Sequence, residues 1–339
     1  MSAMSLPFHI ADVWAFIIAL AVFLYIVMDG FDLGLGMLFP FFPKKEDRNV
    51  IMNTVAPVWD GNETWLVLGG GGLFAAFPLA YAVVMPAIYT PIIAMLIGLI
   101  FRGVAFEFRW RSKRERNLWD IAFFGGSFLA ALSQGIALGA ILQGINVSDR
   151  HYGGGWWDWL TPFSILTGFA VVAGYSLLGA TWLIMKTKGG LRKEAYRLSR
   201  LLLIATVGAI CAVSLATPFL SIAYWQRWFE WPSILFTSPI PIAVAGITVL
   251  LLKALSDERD FRPFFLSLAL FLLSFAGLGV SMWPYIVPQS ITIREAAAPD
   301  NSLYFMLAGV AVMVPIILAY TAFSYWVFRG KVDAKSGYH

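Results

Sequence analysis

The sequence predicts an all-α integral membrane protein with about nine transmembrane helices. Three observations predict it: the scarcity of charge, the recurrence of long apolar stretches, and the confinement of basic residues to alternate connecting segments. Of the 339 residues, 59% are hydrophobic and only 13% are charged, whereas about a quarter of the residues of a soluble domain are charged. Lipid must therefore solvate most of this chain, which excludes a soluble globular domain.

Nine stretches are long and apolar enough to cross a bilayer, which takes about 20 mostly apolar residues. They lie near residues 11–39, 50–76, 79–107, 118–145, 161–186, 200–225, 239–255, 263–286 and 303–328. The seventh stretch opens with Pro239 and Pro241, so its start is the least defined. The first lacks a preceding basic segment and is too long for the core of a signal peptide, so we expect it to stay as a membrane span.

The basic residues orient these spans. Twenty of the 24 Lys and Arg residues follow spans one, three, five, seven and nine. Three others, Arg150, Arg227 and Arg294, lie in the remaining gaps, and Arg102 lies inside span three. Because positive charge stays on the cytoplasmic side during insertion, the pattern predicts the N-terminus outside, the C-terminus in the cytoplasm, and an odd number of spans.

No polar linker divides the chain, so we predict one transmembrane domain over residues 1–339. Spans one to four and five to eight are compatible with two four-helix halves, residues 1–150 and 151–290, and residues 291–339 then hold the ninth helix and a cytoplasmic tail. Buried acids occur only in the first half, because span five carries no carboxylate. We therefore expect the functional residues in the first half.

Six charged residues in the first three spans are the candidate functional residues. Carboxylates within a membrane cost several kcal/mol at the bilayer centre and usually belong to proton or ion paths. Two pairs are spaced three residues apart, which places each pair on one helix face, and two further residues lie in span three. The candidates are Asp29, Asp32, Asp60, Glu63, Arg102 and Glu107.

The depth of these residues favours a proton path. At the helical rise, Asp32 and Asp60 each lie roughly 18 Å, and Arg102 roughly 10 Å, from the basic residues at the predicted cytoplasmic ends of their helices. The candidates thus predict a polar inlet that opens to the cytoplasm and stops partway across the membrane. The alternative is that the acids only cap helices or pair with bases. Capping is favoured for Asp120, at a helix start, and a surface ion pair is as good an interpretation for Glu107.

Redox cofactors have no evident ligands in this chain. The single cysteine, Cys211, excludes an internal disulfide and a thiolate metal cluster. The three histidines, His9, His151 and His339, lie at a span end, in an outer loop and in the tail. No pair of them can hold a haem across the membrane, so we predict no catalytic residue, no bound metal and no haem in this chain.

Several motifs resemble one family. They are Met28–Gly34 (MDGFDLG), Trp59–Trp65 (WDGNETW) and Phe101–Glu107 (FRGVAFE), with weaker matches at 119–127, 142–144 and 314–322. With these motifs the sequence resembles subunit II of the cytochrome bd quinol oxidases along nearly its whole length. Whether it belongs to the cyanide-insensitive branch is left open.

The resemblance implies a terminal oxidase of the bacterial inner membrane that oxidises quinol, reduces O2 to water and generates proton motive force. Its haem-bearing subunit I would hold two haems b and one haem d. Subunit II would be the haem-free partner, with two four-helix bundles and a peripheral ninth helix. A structural quinone and a small single-helix accessory subunit are left open. Membrane lipids are expected partners, and nucleic acid is not.

The resemblance also implies that subunit II supports assembly and lines a cytoplasmic proton path to the partner's haem. The matching positions are Asp29, Asp60 and Glu107, with Arg102 nearby. Many relatives have Asp at position 107 and an amide at position 63, so the role of Glu63 stays open. Two other functions compete: a proton-coupled secondary transporter, which usually has broken helices in both repeats, and a scaffold subunit whose acids are replaceable.

Overall fold

The computed structural model describes residues 9–112 and 115–332, which are almost entirely helical. Nine long helices form the body: α1 (Ile10–Leu38), α3 (Trp59–Ala76), α5 (Tyr89–Arg111), α6 (Arg116–Leu142), α7 (Pro162–Lys186), α8 (Gly189–Ala216), α11 (Pro239–Ser256), α12 (Arg262–Met282) and α14 (Asp300–Val327). Five short helices connect them: α2 (Lys45–Asn53), α4 (Pro78–Ala87), α9 (Ile222–Phe229), α10 (Ser233–Thr237) and α13 (Ile293–Ala296).

Two small antiparallel hairpins complete the fold. Strand β1 (Val147–Ser148) pairs with β2 (His151–Tyr152), and β3 (Tyr285–Val287) pairs with β4 (Ile291–Thr292). Short 3-10 turns extend α1 at Phe39–Phe41 and α8 at Thr217–Phe219. Neither hairpin forms a barrel or a larger sheet within the described residues, so the all-α class predicted from the sequence is confirmed.

Eight helices in the described part of the chain are long and apolar enough to cross a membrane. Of the nine long helices, only α3 is missing from this set. The reason is local, because its first two turns carry Asp60, Asn62 and Glu63 and lower its overall hydropathy. The structure therefore supports a polytopic membrane protein, while the exact number of spans stays a prediction.

Two predicted spans differ from the helices observed. The stretch 50–76 is not continuous, because α2 ends at Asn53 and α3 begins only at Trp59. The stretch 79–107 is divided at Ile88 between α4 and α5, with Pro86 and Pro91 on either side of the break. Proline lacks the amide hydrogen that a continuous helix needs, which explains this second interruption. A smaller difference is that α8 begins at Gly189 rather than near residue 200.

Helix α1 is the centre of the first part of the fold, since it packs against α3, α6 and α7. Glycines allow this close approach. A β-carbon at Gly34 would lie 1.9 Å from the carbonyl oxygen of Tyr175 on α7, and one at Gly36 would lie 2.1 Å from Ser127 Oγ on α6. Only a residue without a side chain fits at these contacts. Gly34 and Gly36 therefore bring α1 into close contact with α7 and α6.

Helix α14 lies at the edge and is exposed over most of its length. Its C-terminal part nevertheless reaches the interior, where the Tyr325 ring contacts those of Phe31 and Trp182. The chain after α14 is attached to the end of α7. Lys186 Nζ donates to the carbonyl oxygens of Phe328 and Gly330, and the Val332 amide donates to the Lys186 carbonyl at 2.8 Å.

Candidate functional site

A buried ion pair forms the centre of the candidate site. Asp29 on α1 and Arg102 on α5 have no exposed side-chain surface, and Arg102 Nη1 donates to Asp29 Oδ1 at 2.6 Å. A carboxylate buried without a partner would cost several kcal/mol, so the arginine is what allows Asp29 to be charged there. The structure thus brings together two residues that lie 73 positions apart in the sequence.

Arg102 also binds a second carboxylate. Its Nη2 donates to Glu63 Oε1 on α3, and the Glu63 side chain keeps 30% of its surface exposed. The guanidinium carbon lies 5.9 Å from the centre of the Trp59 ring. One cation therefore joins α1, α3 and α5, and it lies between a buried carboxylate and a partly accessible one. This arrangement gives the interior a route of polar contacts to the surface.

Asp32 belongs to a second branch of the same cluster. It is fully buried, and its Oδ2 accepts a hydrogen bond from Asn62 Nδ2 at 2.8 Å. Asn62 also donates to the Met28 carbonyl at 3.3 Å and accepts from the Tyr325 hydroxyl at 2.9 Å. Asn62 and Tyr325 were not among the candidates. The position of Asn62 within the WDGNETW motif was a usable signal, but nothing in the sequence linked Tyr325 to Asp32.

Several buried polar atoms of the cluster make no hydrogen bond with any described residue. They are Asp29 Oδ2, Asp32 Oδ1, Arg102 Nε and Trp65 Nε1. Leaving such an atom unsatisfied costs about 1–3 kcal/mol, and proteins usually satisfy buried groups of this kind with ordered water. The cluster therefore offers water both hydrogen-bond acceptors, on the two aspartates, and hydrogen-bond donors, on Arg102 and Trp65. A hydrogen-bonded chain through water requires both.

Asp60 and Glu107 do not lie in the buried cluster, in contrast to the expectation. Asp60 is exposed in the first turn of α3. Its depth was estimated along a continuous helix, and that helix is absent because the chain between α2 and α3 is not helical. The Glu107 side chain is 64% exposed and lies 3.7 Å from Arg111, four residues along α5. The surface ion pair considered for Glu107 is therefore present. Neither acid hydrogen-bonds to the cluster within the described residues.

The exposed side chains of α3 form one continuous face. Asp60, Thr64, Val67, Gly71 and Phe74 are all exposed and are spaced alternately four and three residues apart. Such spacing places them on a single side of the helix. If this side of the helix faced lipid, the charged Asp60 side chain would carry a large free-energy cost. The face is therefore suited to contact with another protein.

A second charged cluster lies where α1 ends. Asp120 is buried and accepts hydrogen bonds from Arg48 Nη1, at 2.8 Å, and from Arg109 Nε. Arg109 Nη1 also donates to Asn49 Oδ1 at 2.8 Å. The prediction that Asp120 caps α6 is wrong, because it lies in the second turn and no side chain caps that helix. Two arginines from neighbouring elements bind it instead and attach α2 to α5 and α6.

The two described histidines lie near the surface and contact neighbouring residues. His9 Nδ1 accepts the Ala11 amide at the start of α1, and its Nε2 lies 3.6 Å from Asp300. His151 lies in the exposed β1–β2 hairpin, with Nδ1 2.7 Å from the Asp149 carbonyl. His339 lies outside the described residues. Among residues 9–112 and 115–332, no group of three or more His, Cys, Asp or Glu side chains could hold a metal ion.

Comparison with known proteins identifies the family of this chain. The family model described as cytochrome bd terminal oxidase subunit II matches residues 10–328. The chain is 31% identical to cytochrome bd-I ubiquinol oxidase subunit 2 of Escherichia coli K12, over 94% of each chain. It is 27% identical to cytochrome bd ubiquinol oxidase subunit 2 of Bacillus subtilis, over 96% of this chain and 97% of the relative.

Solved structures give the same fold. The bd oxidase from Geobacillus thermodenitrificans includes a chain that superposes with a TM-score of 0.76 at 17% identity, over 94% of this chain and 98% of that one. Together with the eight apolar helices, the family match indicates a multi-pass protein of the bacterial inner membrane. Since the family model covers almost all of the described residues, this chain belongs to the cytochrome bd terminal oxidase subunit II family.

Proposed function

We propose that this chain is the second subunit of a terminal oxidase that oxidises quinol and reduces O2 to water. Its own part is to line a proton path from the cytoplasm and to support assembly of the complex. The observation that carries the proposal is the Arg102-centred cluster, in which a partly exposed acid, a buried base and a fully buried acid are in direct contact. The family match gives the reaction class.

The proposed orientation requires α3 to be the ninth span. The basic residues after α1 and those after α5 can lie on the same side only if the chain crosses the membrane twice between them. Helix α5 supplies one crossing and α3 is the only other long helix in that interval. Counting α3 places the N-terminus outside and the C-terminus in the cytoplasm.

The proposed path begins at the cytoplasmic start of α3. Asp60 lies in the first turn of α3. Glu63 lies three residues further along the same helix, about one turn deeper and next to Asp60 on the helix surface. Glu63 contacts Arg102, which in turn contacts Asp29. Glu107, at the same end of the neighbouring helix α5, is placed at the entrance. Carboxylates can accept and release protons along such a route, whereas the arginine stays charged and fixes their positions.

The exposed face of α3 is the proposed contact with subunit I. A proton that travels along this path to a haem must pass into the partner, so the path has to border the interface. Asp60, Val67 and Phe74 lie on that face, and a partner covering it would remove the carboxylate from lipid. Two haems b and one haem d, with the quinol site, are placed in subunit I. The binding of a structural quinone or of an accessory subunit is left open.

The haems are placed in the partner because the described histidines of this chain serve other contacts. Changing His9, His151 and His339 together to Ala should leave the haem spectrum of the purified complex intact, since none of these residues would be an axial ligand. The measurement is the reduced-minus-oxidised absorbance spectrum per mole of complex. Loss of one haem band from the triple variant would place a ligand in this subunit.

The path is tested by Asp60→Asn. This change keeps the size and most of the hydrogen bonding of the side chain but removes the titratable group. Because a positioned proton-transfer group typically contributes a factor of about 100 or more, we expect quinol-driven oxygen consumption per haem d to fall at least about tenfold while the complex still assembles. Glu194→Gln, which changes a partly exposed acid of α8 that forms an ion pair with Arg197, is the control and should keep full turnover.

The same experiment separates the competing functions. A scaffold subunit would tolerate Asp60→Asn, so full turnover in a stable complex removes Asp60 from the path. A secondary transporter would be purified without haem and would show no oxygen consumption at all. The restriction of the charged cluster to α1, α3 and α5 favours the oxidase subunit over a transporter, in which both repeats usually contribute to the site.

A further inference from the structure

A chain of three polar side chains adjoins the acid cluster, and the proposed path does not use it. Tyr25 on α1, Gln134 on α6 and Tyr175 on α7 are linked by two hydrogen bonds. Gln134 Nε2 donates to the Tyr25 hydroxyl oxygen at 2.8 Å, and the Tyr175 hydroxyl donates to Gln134 Oε1 at 2.8 Å. Both tyrosines are buried, with 4% and 2% of their surfaces exposed.

The order of donors in this chain determines where the Tyr25 proton points. Tyr175 donates to the amide oxygen, so the amide nitrogen donates to Tyr25, whose oxygen is then an acceptor. The proton of the Tyr25 hydroxyl must find a different acceptor. Asp29 lies four residues further along α1, one helical turn away on the same face of the helix as Tyr25. Its Oδ2 is buried and makes no hydrogen bond with any described residue.

We propose that Tyr25, Gln134 and Tyr175 are positioning residues for Asp29. The chain directs the Tyr25 hydroxyl toward Asp29 Oδ2, while Arg102 holds Oδ1 from the other side. The carboxylate is thereby fixed between two donors, with its geometry set before a proton arrives. The inference rests on the proposed function of Asp29 in the proton path, and it adds three residues that the family motifs do not include.

The hydrogen-bonded side chains of Tyr25, Gln134 and Tyr175 position Asp29 but do not conduct protons. The side-chain amide of Gln134 is not ionisable, so it cannot pass a proton from one tyrosine to the other. Tyr175 is itself buried, and its ring stacks with Phe271 at 6.0 Å between centroids. A proton on Asp29 is therefore not lost toward α7.

Gly30 has a specific role in this arrangement. A β-carbon at position 30 would lie 2.8 Å from Cε1 of the Tyr175 ring, which is closer than atoms can approach without displacement. The glycine in the MDGFDLG motif therefore leaves the space in which Tyr175 reaches Gln134. A side chain at position 30 would displace the Tyr175 ring and break its hydrogen bond to Gln134.

The test uses Tyr25→Phe, Gln134→Leu and the double variant in the purified complex. Tyr25→Phe removes the hydrogen bond from Gln134 and the hydroxyl donor to Asp29, and Gln134→Leu removes both hydrogen bonds that Gln134 makes. Loss of a donor to a charged group corresponds to about a tenfold effect. We expect turnover per haem d to fall about three- to tenfold in each single variant, with no further fall in the double variant. Tyr224→Phe is the control, because this buried tyrosine donates only to the Leu142 carbonyl in the described structure.

A second readout reports on Asp29 itself. The infrared absorption of its carboxyl group is identified as the band that Asp29→Asn removes. A positioning role predicts that Tyr25→Phe and Gln134→Leu both shift this band, with Tyr25→Phe shifting it at least as far, and that Tyr224→Phe leaves it unchanged. An unshifted band would overturn the proposal, and so would additive losses of turnover. A reversed Gln134 amide, accepting from Tyr25, would also give the unshifted band.

The two proposals fail in different ways. If Asp29→Asn keeps full turnover, Asp29 is not on the proton path, and the proposed function fails at this residue. The infrared band still reports whether Tyr25 positions the carboxylate. If turnover falls in Asp29→Asn but the band is insensitive to Tyr25→Phe, the path stands and the positioning chain does not.

Discussion

Arg102→Met is expected to destabilise the assembled protein by about 3–5 kcal/mol, because the change leaves Asp29 as a buried charge without its partner. Methionine has a similar length and fits an apolar site, so the loss is one of charge compensation and hydrogen bonding rather than of volume. The measurement is the thermal midpoint of the purified complex, followed by loss of haem absorbance. Yield in the membrane should fall in parallel.

A second substitution tests the cause of this loss. In the double variant Arg102→Met with Asp29→Asn, the uncompensated charge is gone, and stability should return in part. Arg197→Met removes an exposed arginine that pairs with Glu194 and should change the thermal midpoint little. If Arg102→Met leaves the midpoint unchanged, or if the double variant is no better than the single one, the buried pair does not stabilise the fold.

Asp29→Asn is expected to lower turnover per haem d by at least about tenfold while the complex assembles. Asparagine still offers Arg102 an acceptor, but it cannot take up and release a proton, and transfer steps of this kind contribute factors of about 100 or more. The measurement is quinol-driven oxygen consumption normalised to haem d. The stability of Asp29→Asn should be affected less than that of Arg102→Met, because the remaining charge belongs to an arginine that also pairs with Glu63.

Asp120→Asn is the matched control for this change. Asp120 is also a buried acid bound by arginines, but its cluster attaches α2 to α5 and α6 and is separate from the Arg102 cluster. Its loss should lower the yield of complex while the turnover of each assembled complex stays normal. An equal fall of turnover in both variants would mean that Asp29 acts through stability alone.

The membrane class and most of the helices could be predicted because hydropathy is a local property of the sequence. The positions of Asp29, Asp32 and Arg102 could also be predicted, since intramembrane charges are rare enough to be recognised singly. The pairing of Arg102 with Asp29 could not be predicted. The two residues are 73 positions apart, and nothing in the spacing of the sequence specifies that contact.

The errors have identifiable causes. A continuous helix was assumed around Asp60 because the residues between α2 and α3 are themselves mostly apolar, so hydropathy does not reveal the break in the backbone. Asp120 was assigned as a cap because its arginine partners, Arg48 and Arg109, come from other elements. Tyr325 was missed because it is one aromatic residue among many on an exposed helix, and only packing brings it to Asn62.

The most direct test of the proton path is proton uptake during turnover. Purified complex in liposomes, with the cytoplasmic face outward and a pH-sensitive dye outside, reports uptake as an alkaline change when quinol and O2 are supplied. A path through Asp29 predicts that Asp29→Asn slows this uptake at least about tenfold, in step with oxygen consumption, while Asp120→Asn does not slow it per haem d. Uptake at the normal rate in an assembled Asp29→Asn complex would contradict the path.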